Sequence, residues 1–296
     1  MSATTGRDEN GQVKVGRGMA GRDGMARGTG WDLASVVARG RARLVDVLRS
    51  EWSKARTLRS TWITLLAVVL AGALFAALFA GAAGREQEGV VDEAVHPLNW
   101  VFRGLVIVQI IAGYLGARAV TVEYATGTMP GSLTAAPRRG RILAAKAVVY
   151  AAMALVAGWV TALTMFLVGR AVLAAKGLPV YTFTEPGVAR ALAGVGLHMA
   201  VMSLFGLAIG LLVRSTAGAV TVLTLVALLI PAMSSLYPDW LAAFVVKYFL
   251  TTAGARIAGV GEQPPLLPAW AGFAVFCAYT AVLLLAALTV FRRRDA

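Results

Sequence analysis

A polar and basic segment, residues 114–146, separates two long apolar runs of the chain. Its charged side chains alternate with glycine and proline, which interrupt regular structure. Charges in such a setting are suited to ion pairing and to docking a partner at a membrane surface. The segment is therefore predicted to be a cytoplasmic loop, residues 118–146, that a partner contacts.

The most specific pattern of the loop is E-Y-x-x-G-T-x-x-x-x-L-x-x-x-P-R-R-x-R-x-x-x-x-K, which runs from Glu123 to Lys146. Gly127 and Pro137 can bracket a short helix lying across the membrane surface, and Glu123 is available to pair with an arginine. A basic loop that only fixes topology is the alternative interpretation. The residues predicted to form the docking site are Glu123, Gly127, Thr128, Leu133, Pro137, Arg138, Arg139 and Arg141.

Motifs for covalent or metal chemistry are missing from the sequence. No GxxxxGK[ST] phosphate-binding motif occurs, and Cys277 is the single cysteine. His96 and His198 lie far apart, so a metal centre is not predicted. An intramembrane hydrolase would need Ser203 beside His198, but a spacing of five places the two side chains poorly on one helix. We therefore predict neither catalytic nor metal-binding residues.

Composition and apolar run lengths place the chain among membrane proteins. It has 296 residues, of which 58% are hydrophobic, and several runs reach the roughly 20 residues that cross a bilayer as helix. The predicted fold is all-α and polytopic, with a transmembrane domain over residues 61–296. Its six spans are predicted at 62–83, 100–122, 142–168, 188–213, 217–236 and 269–291.

Two further segments lie outside these spans. Residues 1–40 are rich in Gly and Arg, which predicts a disordered cytoplasmic tail. Residues 41–60 show apolar residues at helical spacing among basic ones, which predicts an amphipathic helix in the membrane interface. The residues chosen for that helix and its exit are Leu48, Trp52, Leu58 and Trp62. Before the last span, the period from Trp240 to Phe249 predicts a short interfacial or re-entrant helix.

The distribution of charge indicates orientation. The formal net charge is +13, and most Lys and Arg residues fall on the side that holds both termini. By the positive-inside rule this side is cytoplasmic, so no nucleic-acid partner is needed to explain the charge. The centres of the spans hold no Asp, Glu, Lys or Arg. Ion-coupled transporters generally need such residues there. A transporter with this sequence is therefore expected to take the energy for transport from outside the bilayer.

The segment from Glu123 to Lys146 resembles the loop between the second and third spans of permease subunits of type-2 ATP-binding-cassette (ABC) exporters, particularly the actinobacterial kind. The stretch from Leu48 to Trp62 resembles the N-terminal interface helix of that family. The resemblance covers about residues 44–294. It implies that the loop supplies a coupling helix, which a nucleotide-binding subunit receives.

The resemblance implies a permease subunit in the cell membrane that exports a hydrophobic or amphipathic substrate. A separate ABC ATPase subunit would bind ATP and Mg²⁺, and a second permease copy, identical or related, would complete the pathway. The permease itself would need no cofactor and would not be an enzyme. The alternative is a membrane anchor or regulatory protein without transport activity. The sequence does not identify substrate-binding residues.

Overall fold

The computed structural model describes residues 44–86, 96–127, 139–261 and 266–294, and the regular elements in these ranges are helical. In chain order they are α1 (Leu44–Thr57), α2 (Arg59–Glu86), α3 (Pro97–Phe102), α4 (Leu105–Ala125), α5 (Arg139–Ala175), α6 (Val188–Val213), α7 (Thr216–Thr224, continued by a π-helical turn Leu225–Leu229 and by Ile230–Ala232), α8 (Asp239–Tyr248), α9 (Leu250–Ala255) and α10 (Ala269–Arg294). The predicted all-α polytopic membrane fold is confirmed. Residues 1–40, predicted to be a disordered tail, lie outside the described ranges.

Five of these helices, α2, α4, α5, α6 and α10, are long and apolar enough to cross a membrane. The predicted fifth span coincides with α7, but this apolar helix (Thr216–Ala232) falls short of the usual length of about 20 residues. Helix α8 and the segment Leu250–Ala258 form a pair bent by 42°, which is a broken span or a re-entrant loop. The short helix predicted before the last span is therefore present.

Helix α6 lies at the centre of the bundle. Of its most apolar 18-residue window 72% is buried, whereas the corresponding values are 28% for α2 and 17% for α10. Helices α4, α5 and α10 all pack against α6. Because α2 and α10 bury so little of their apolar surface, most of that surface faces the surroundings of the chain, which in a bilayer are lipid tails.

Helices α4 and α6 cross at very short distance because small residues meet at the contact. A Cβ atom added to Gly206 would lie 1.8 Å from the carbonyl oxygen of Gly113, and one added to Gly116 would lie 1.7 Å from that of Ser203. Small residues at both positions let the two backbones touch. The glycines of the second predicted span therefore mediate close packing, as their presence in an apolar run indicates.

The predicted second span is divided into α3 and α4. Arg103 and Gly104 separate the two helices, and the Arg103 guanidinium lies 3.6 Å from the centre of the Trp100 ring. A side chain at position 104 would collide with Phe75 of α2, whose Cβ would lie 2.6 Å from the added Cβ. The prediction of one continuous helix from Trp100 was thus wrong at its beginning, because packing against α2 fixes the break.

Polar contacts hold together the loops at the α3 end of the bundle. The Asn99 side chain donates to the carbonyl of Val260 and accepts from the amide of the same residue, both at 2.8 Å. Arg190 donates to the carbonyl of Gly259 at 2.8 Å, and His96 contacts Glu185 at 2.8 Å. These contacts join α3, the beginning of α6 and the segment that follows α9.

Candidate functional site

Four charged side chains from three helices meet at the opposite end of the bundle. Lys146 of α5 donates from Nζ to Glu51 Oε2 of α1 at 2.8 Å and to Glu123 Oε1 of α4 at 2.7 Å. Lys54 of α1 donates to Glu51 Oε1 at 2.8 Å and lies 3.4 Å from Glu123 Oε1. We call these four residues the charge network. Its formal charges cancel, so it joins α1, α4 and α5 without a net charge.

Burial makes the charge network more consequential than a surface ion pair. The exposed fraction is 3% for Glu51 and 2% for Lys146. Burial by itself would raise the pKa of Glu51, but the charges and hydrogen bonds of Lys146 and Lys54 outweigh this effect and hold the pKa below its usual value. Burial would likewise lower the pKa of Lys54, whereas its bond to Glu51 and the nearby carboxylates raise it. Glu51 and Lys54 lie on α1, outside the membrane spans, and both stay ionised because of their partners.

The charge network brackets the loop that the sequence singled out. Glu123 lies two residues before the end of α4, and Lys146 lies in the second turn of α5. Gly127 ends α4 with φ +65°, a left-handed conformation that suits glycine after a helix end. Glu123 and Lys146 thus mark the two ends of the intervening segment, which we call its rims, and both are bonded to the same helix, α1.

Helix α1 is in turn coupled to the beginning of α2. The single residue Leu58 separates the two helices, and its amide donates to the carbonyl of Lys54 at 3.3 Å. Ser60, in the first turn of α2, accepts a hydrogen bond from Arg118 of α4. A displacement of either rim of the loop would therefore act on four helices at this end of the bundle.

Comparison with protein-family models gives a match over most of this architecture. The model of the ABC-2 family transporter protein matches residues 45–296, which include α1 from its second residue, the charge network and the five membrane-length helices. The chain belongs to this family. A search of curated proteins finds no match. The family assignment confirms the type-2 ABC permease that the loop motif resembles.

Membership establishes the coarse function. The chain is a permease subunit of an ABC transporter and a multi-pass membrane protein. As the membrane component of a transporter it is not itself an enzyme. The family implies association with an ABC ATPase subunit and with the membrane.

Of the residues predicted to couple the permease to an ATPase, the structure describes the rims of the loop. Glu123 belongs to the charge network, Gly127 ends α4, and Arg141 lies half-buried in the first turn of α5. Arg139 begins α5, and its side chain is not described. Thr128, Leu133, Pro137 and Arg138 lie outside the described residues. The coupling role of all eight residues remains a prediction.

The residues predicted for the interface helix are divided between three places. Leu48 is half-buried on α1 and packs against the core beside Ala55, whereas Trp52 of the same helix is exposed. Leu58 lies in the break after α1, and Trp62 lies in α2, where its Nε1 donates to the carbonyl of Arg56 at 2.9 Å. The predicted range 41–60 thus contains a helix that ends at Thr57 and the first residues of α2.

Glu51, Lys54 and the pairing of Lys146 were missed by sequence reasoning. A signal was present, because Glu51 lies three residues after Leu48 and four before Ala55, on the stripe that faces the bundle. A carboxylate on such a stripe requires a cationic partner. The sequence does not indicate that Lys146 is this partner, since it lies 95 positions away from Glu51.

The membrane core contains a polar contact of His198, one of the two residues that an intramembrane hydrolase would need. His198 Nε2 donates to Gln109 Oε1 at 2.9 Å, and Gln109 Nε2 donates to the carbonyl of Ala227 at 3.3 Å. That carbonyl belongs to the π-helical turn of α7, where the usual helical hydrogen bonds are interrupted. Ser203 makes no hydrogen bond to His198, so the two residues form no nucleophile–base pair.

No group of three or more potential metal-ligating side chains occurs in the described ranges of the permease. Among the polar contacts of the described ranges, the charge network joins residues at both ends of the loop predicted to meet a partner.

We expect the stability of the permease to fall under acidic conditions through Glu51. Because the pKa of Glu51 is lowered on folding, its ionisation stabilises the fold fully above the ordinary value of 4.5, and this contribution is lost as the pH falls through the lowered pKa. The measurement is the fraction of detergent-purified permease that remains monodisperse after heating, from pH 7 down to about pH 3, because the loss begins only below 4.5. Glu51→Gln should show a shallower pH dependence than the wild type. Parallel curves for the two proteins would contradict the assignment.

Proposed function

We propose that the permease is the membrane subunit of an ATP-driven exporter that moves a hydrophobic or amphipathic substrate out of the cell. A separate nucleotide-binding subunit hydrolyses ATP and holds Mg²⁺. The observation that carries this proposal is the charge network, because it attaches both rims of the predicted coupling loop to α1. The proposed direction of transport, out of the cell, is based on the resemblance to exporters and not on a contact within the structure.

The orientation and the assembly complete the proposal. Both termini and the loop 118–146 face the cytoplasm, since most basic residues lie on that side. Two permease copies, identical or related, surround the substrate pathway. The nucleotide-binding subunit docks on the loop from the cytoplasmic side, where its nucleotide supply is.

The contacts support a mechanical route from the loop to the membrane core. Force on the loop reaches α4 and α5 directly, because Glu123 and Lys146 lie at its two rims. Helix α4 transmits displacement to the central α6 through the close backbone contacts at Gly113 and Gly206. The polar contact between Gln109 and His198 adds a second link between the same two helices. Tilting of α4 would therefore move α6 and the helices packed on it.

The experiment is co-purification, in mild detergent, of the permease with a candidate ABC ATPase subunit from the same organism. Arg138→Glu combined with Arg139→Glu reverses two adjacent charges in the loop, and we expect it to weaken ATPase docking while membrane insertion is unaffected. Insertion is checked by the yield of monodisperse permease. Charge reversals in the rim of an interface typically act through electrostatic complementarity, so the loss should be larger at low salt.

The matched control is Arg293→Glu combined with Arg294→Glu, which reverses two adjacent charges at the end of α10. We expect this variant to retain the ATPase. Equal loss from both variants would show a non-specific charge effect and contradict the coupling assignment. If no ATPase binds the wild type with nucleotide or without it, the exporter loses its energy source, and the anchor or regulatory alternative replaces it.

A further inference from the structure

An apolar groove runs between α6, α7 and α10. It is lined by Phe205, Ile209 and Leu212 of α6, by Val222 of α7 and by Val282 of α10. Helices α7 and α10 both pack on α6 but make little direct contact with each other, which leaves the space between them. The groove has a volume of about 430 Å³. It faces outward, because Val282 is 67% exposed.

The lining excludes water as a stable occupant. Its side chains are aliphatic and aromatic, and a cavity needs several polar partners to hold ordered water. The surroundings of α10 in the bilayer are lipid tails. An acyl chain from the bilayer can enter through the outward side and bury its methylene groups against α6.

The size of the groove distinguishes an acyl chain from a helix of a second copy. A helix is about 10 Å across with a pitch of about 5.4 Å, so a volume of about 430 Å³ accommodates only about one helical turn. A helix of a second copy would therefore rest against the open side of the groove and would not be enclosed by it along its length. A single flexible hydrocarbon chain fits the same space along its length.

Positive charge flanks one end of the groove. Val213 lines the groove, and Arg214 follows it directly, with its guanidinium 4.9 Å from the centre of the Tyr124 ring. On α10, Ala286 lines the groove, and the exposed Arg293 lies two turns further along the same face of the helix. The charge near this end of the groove is therefore positive, which favours an anionic headgroup.

We propose that the groove binds one acyl chain of an anionic phospholipid, whose headgroup lies beside Arg214 and Arg293. The site requires no ATPase partner and no particular direction of transport. It can thus be tested separately from the proposed exporter function, and the failure of either proposal leaves the other standing.

The experiment uses the full-length permease in nanodiscs that contain a trace of phosphatidylglycerol carrying a photoreactive diazirine on one acyl chain. A second sample carries the same chain on phosphatidylcholine. After illumination, labelled peptides are mapped by mass spectrometry. We expect labels in α6, α7 and α10 at the groove, with phosphatidylglycerol labelling stronger by about fivefold for each arginine that contributes. Labels spread evenly over the exposed faces of α2 and α5, as for any surrounding lipid, would overturn the proposal.

Two exposed residues of α10 give a matched pair of variants. Val282, which is 67% exposed, lines the groove, whereas Leu285, which is 63% exposed, does not. We expect Val282→Trp to remove most of the groove label and Leu285→Trp to leave it unchanged. Both substitutions lie on the outside of α10, so both proteins should fold. Equal labelling of the two variants would overturn the proposal.

The headgroup assignment has its own variants. We expect Arg293→Gln and Arg214→Asn each to reduce the preference for phosphatidylglycerol without moving the label. Asparagine is chosen at position 214 because it tolerates the left-handed backbone at φ 56°. An unchanged preference in both would overturn the headgroup assignment. A further variant carries Val282→Cys in a Cys277→Ala background. If two copies of it form a disulfide efficiently and the groove is not labelled, a second copy occupies the groove, and the lipid assignment is overturned.

Discussion

Replacing Lys146 with methionine is expected to destabilise the permease by about 3–5 kcal/mol, the cost usually found when one partner of a buried ion pair is removed. Methionine keeps most of the length of the side chain but leaves the carboxylates of Glu51 and Glu123 with Lys54 alone. The measurement is the midpoint of thermal unfolding of purified permease in detergent. The same variant should lose ATPase stimulation by the permease at temperatures where it is still folded, because α1, α4 and α5 are no longer joined.

A second variant separates charge balance from simple loss of contact. Lys146→Met combined with Glu51→Gln removes one charge of each sign and leaves Lys54 paired with Glu123. We therefore expect the double variant to be less destabilised than the sum of the two single substitutions, by a coupling energy of about 0.5–3 kcal/mol. Arg56→Met is the control, since it removes one positive charge from an exposed position of α1. Strictly additive effects of the two substitutions would contradict the charge network.

Gly206→Val is expected to prevent normal assembly of the bundle. The loss of stability should exceed the roughly 1–3 kcal/mol that ordinary overpacking of a core costs. Even the Cβ of alanine would lie 1.8 Å from the carbonyl oxygen of Gly113, and this obstacle is backbone, which cannot rotate away. Helices α4 and α6 would have to separate and give up the hydrogen bond between Gln109 and His198. The measurement is the yield of monodisperse permease after solubilisation, together with its thermal midpoint.

Gly81→Val is the matched control for this substitution. Gly81 also lies within a membrane-length helix, α2, but a Cβ at this position meets no atom within 4 Å. We expect a yield close to that of the wild type, because the added side chain enters open space. If Gly81→Val were as damaging as Gly206→Val, the loss would reflect valine in a membrane helix and not the α4–α6 contact.

The sequence predicted the membrane helices well where local hydropathy alone decides them. Helix α6 has the predicted bounds Val188–Val213, and α10 begins at the predicted Ala269. It predicted poorly where packing changes the helix. The break at Gly104 depends on Phe75 of α2, and the π-helical turn in α7 presents the Ala227 carbonyl to Gln109. Neither partner is adjacent in sequence, so no local pattern indicates these features.

The candidate site was predicted in part. The motif from Glu123 to Lys146 located the loop and both of its rims, because charged residues between apolar runs stand out in any sequence of this composition. It did not predict that Glu123 pairs with Lys146 and Lys54, since an arginine of the loop was equally available. Helix α1 was predicted as an amphipathic helix in the interface, but the burial of Glu51 on its bundle-facing side was not.

The sequence by itself determined that the permease is an all-α membrane protein in which a basic segment, residues 114–146, separates two long apolar runs. These properties follow from the transfer free energy of consecutive residues, which depends on composition over about 20 positions. Only the tertiary structure decided which charges meet and where an apolar groove remains open. Glu51 and Lys146 are separated by 95 positions and come within 2.8 Å because three helices pack side by side. Such contacts depend on the rotation of each helix about its axis, and the packing of its neighbours fixes that rotation.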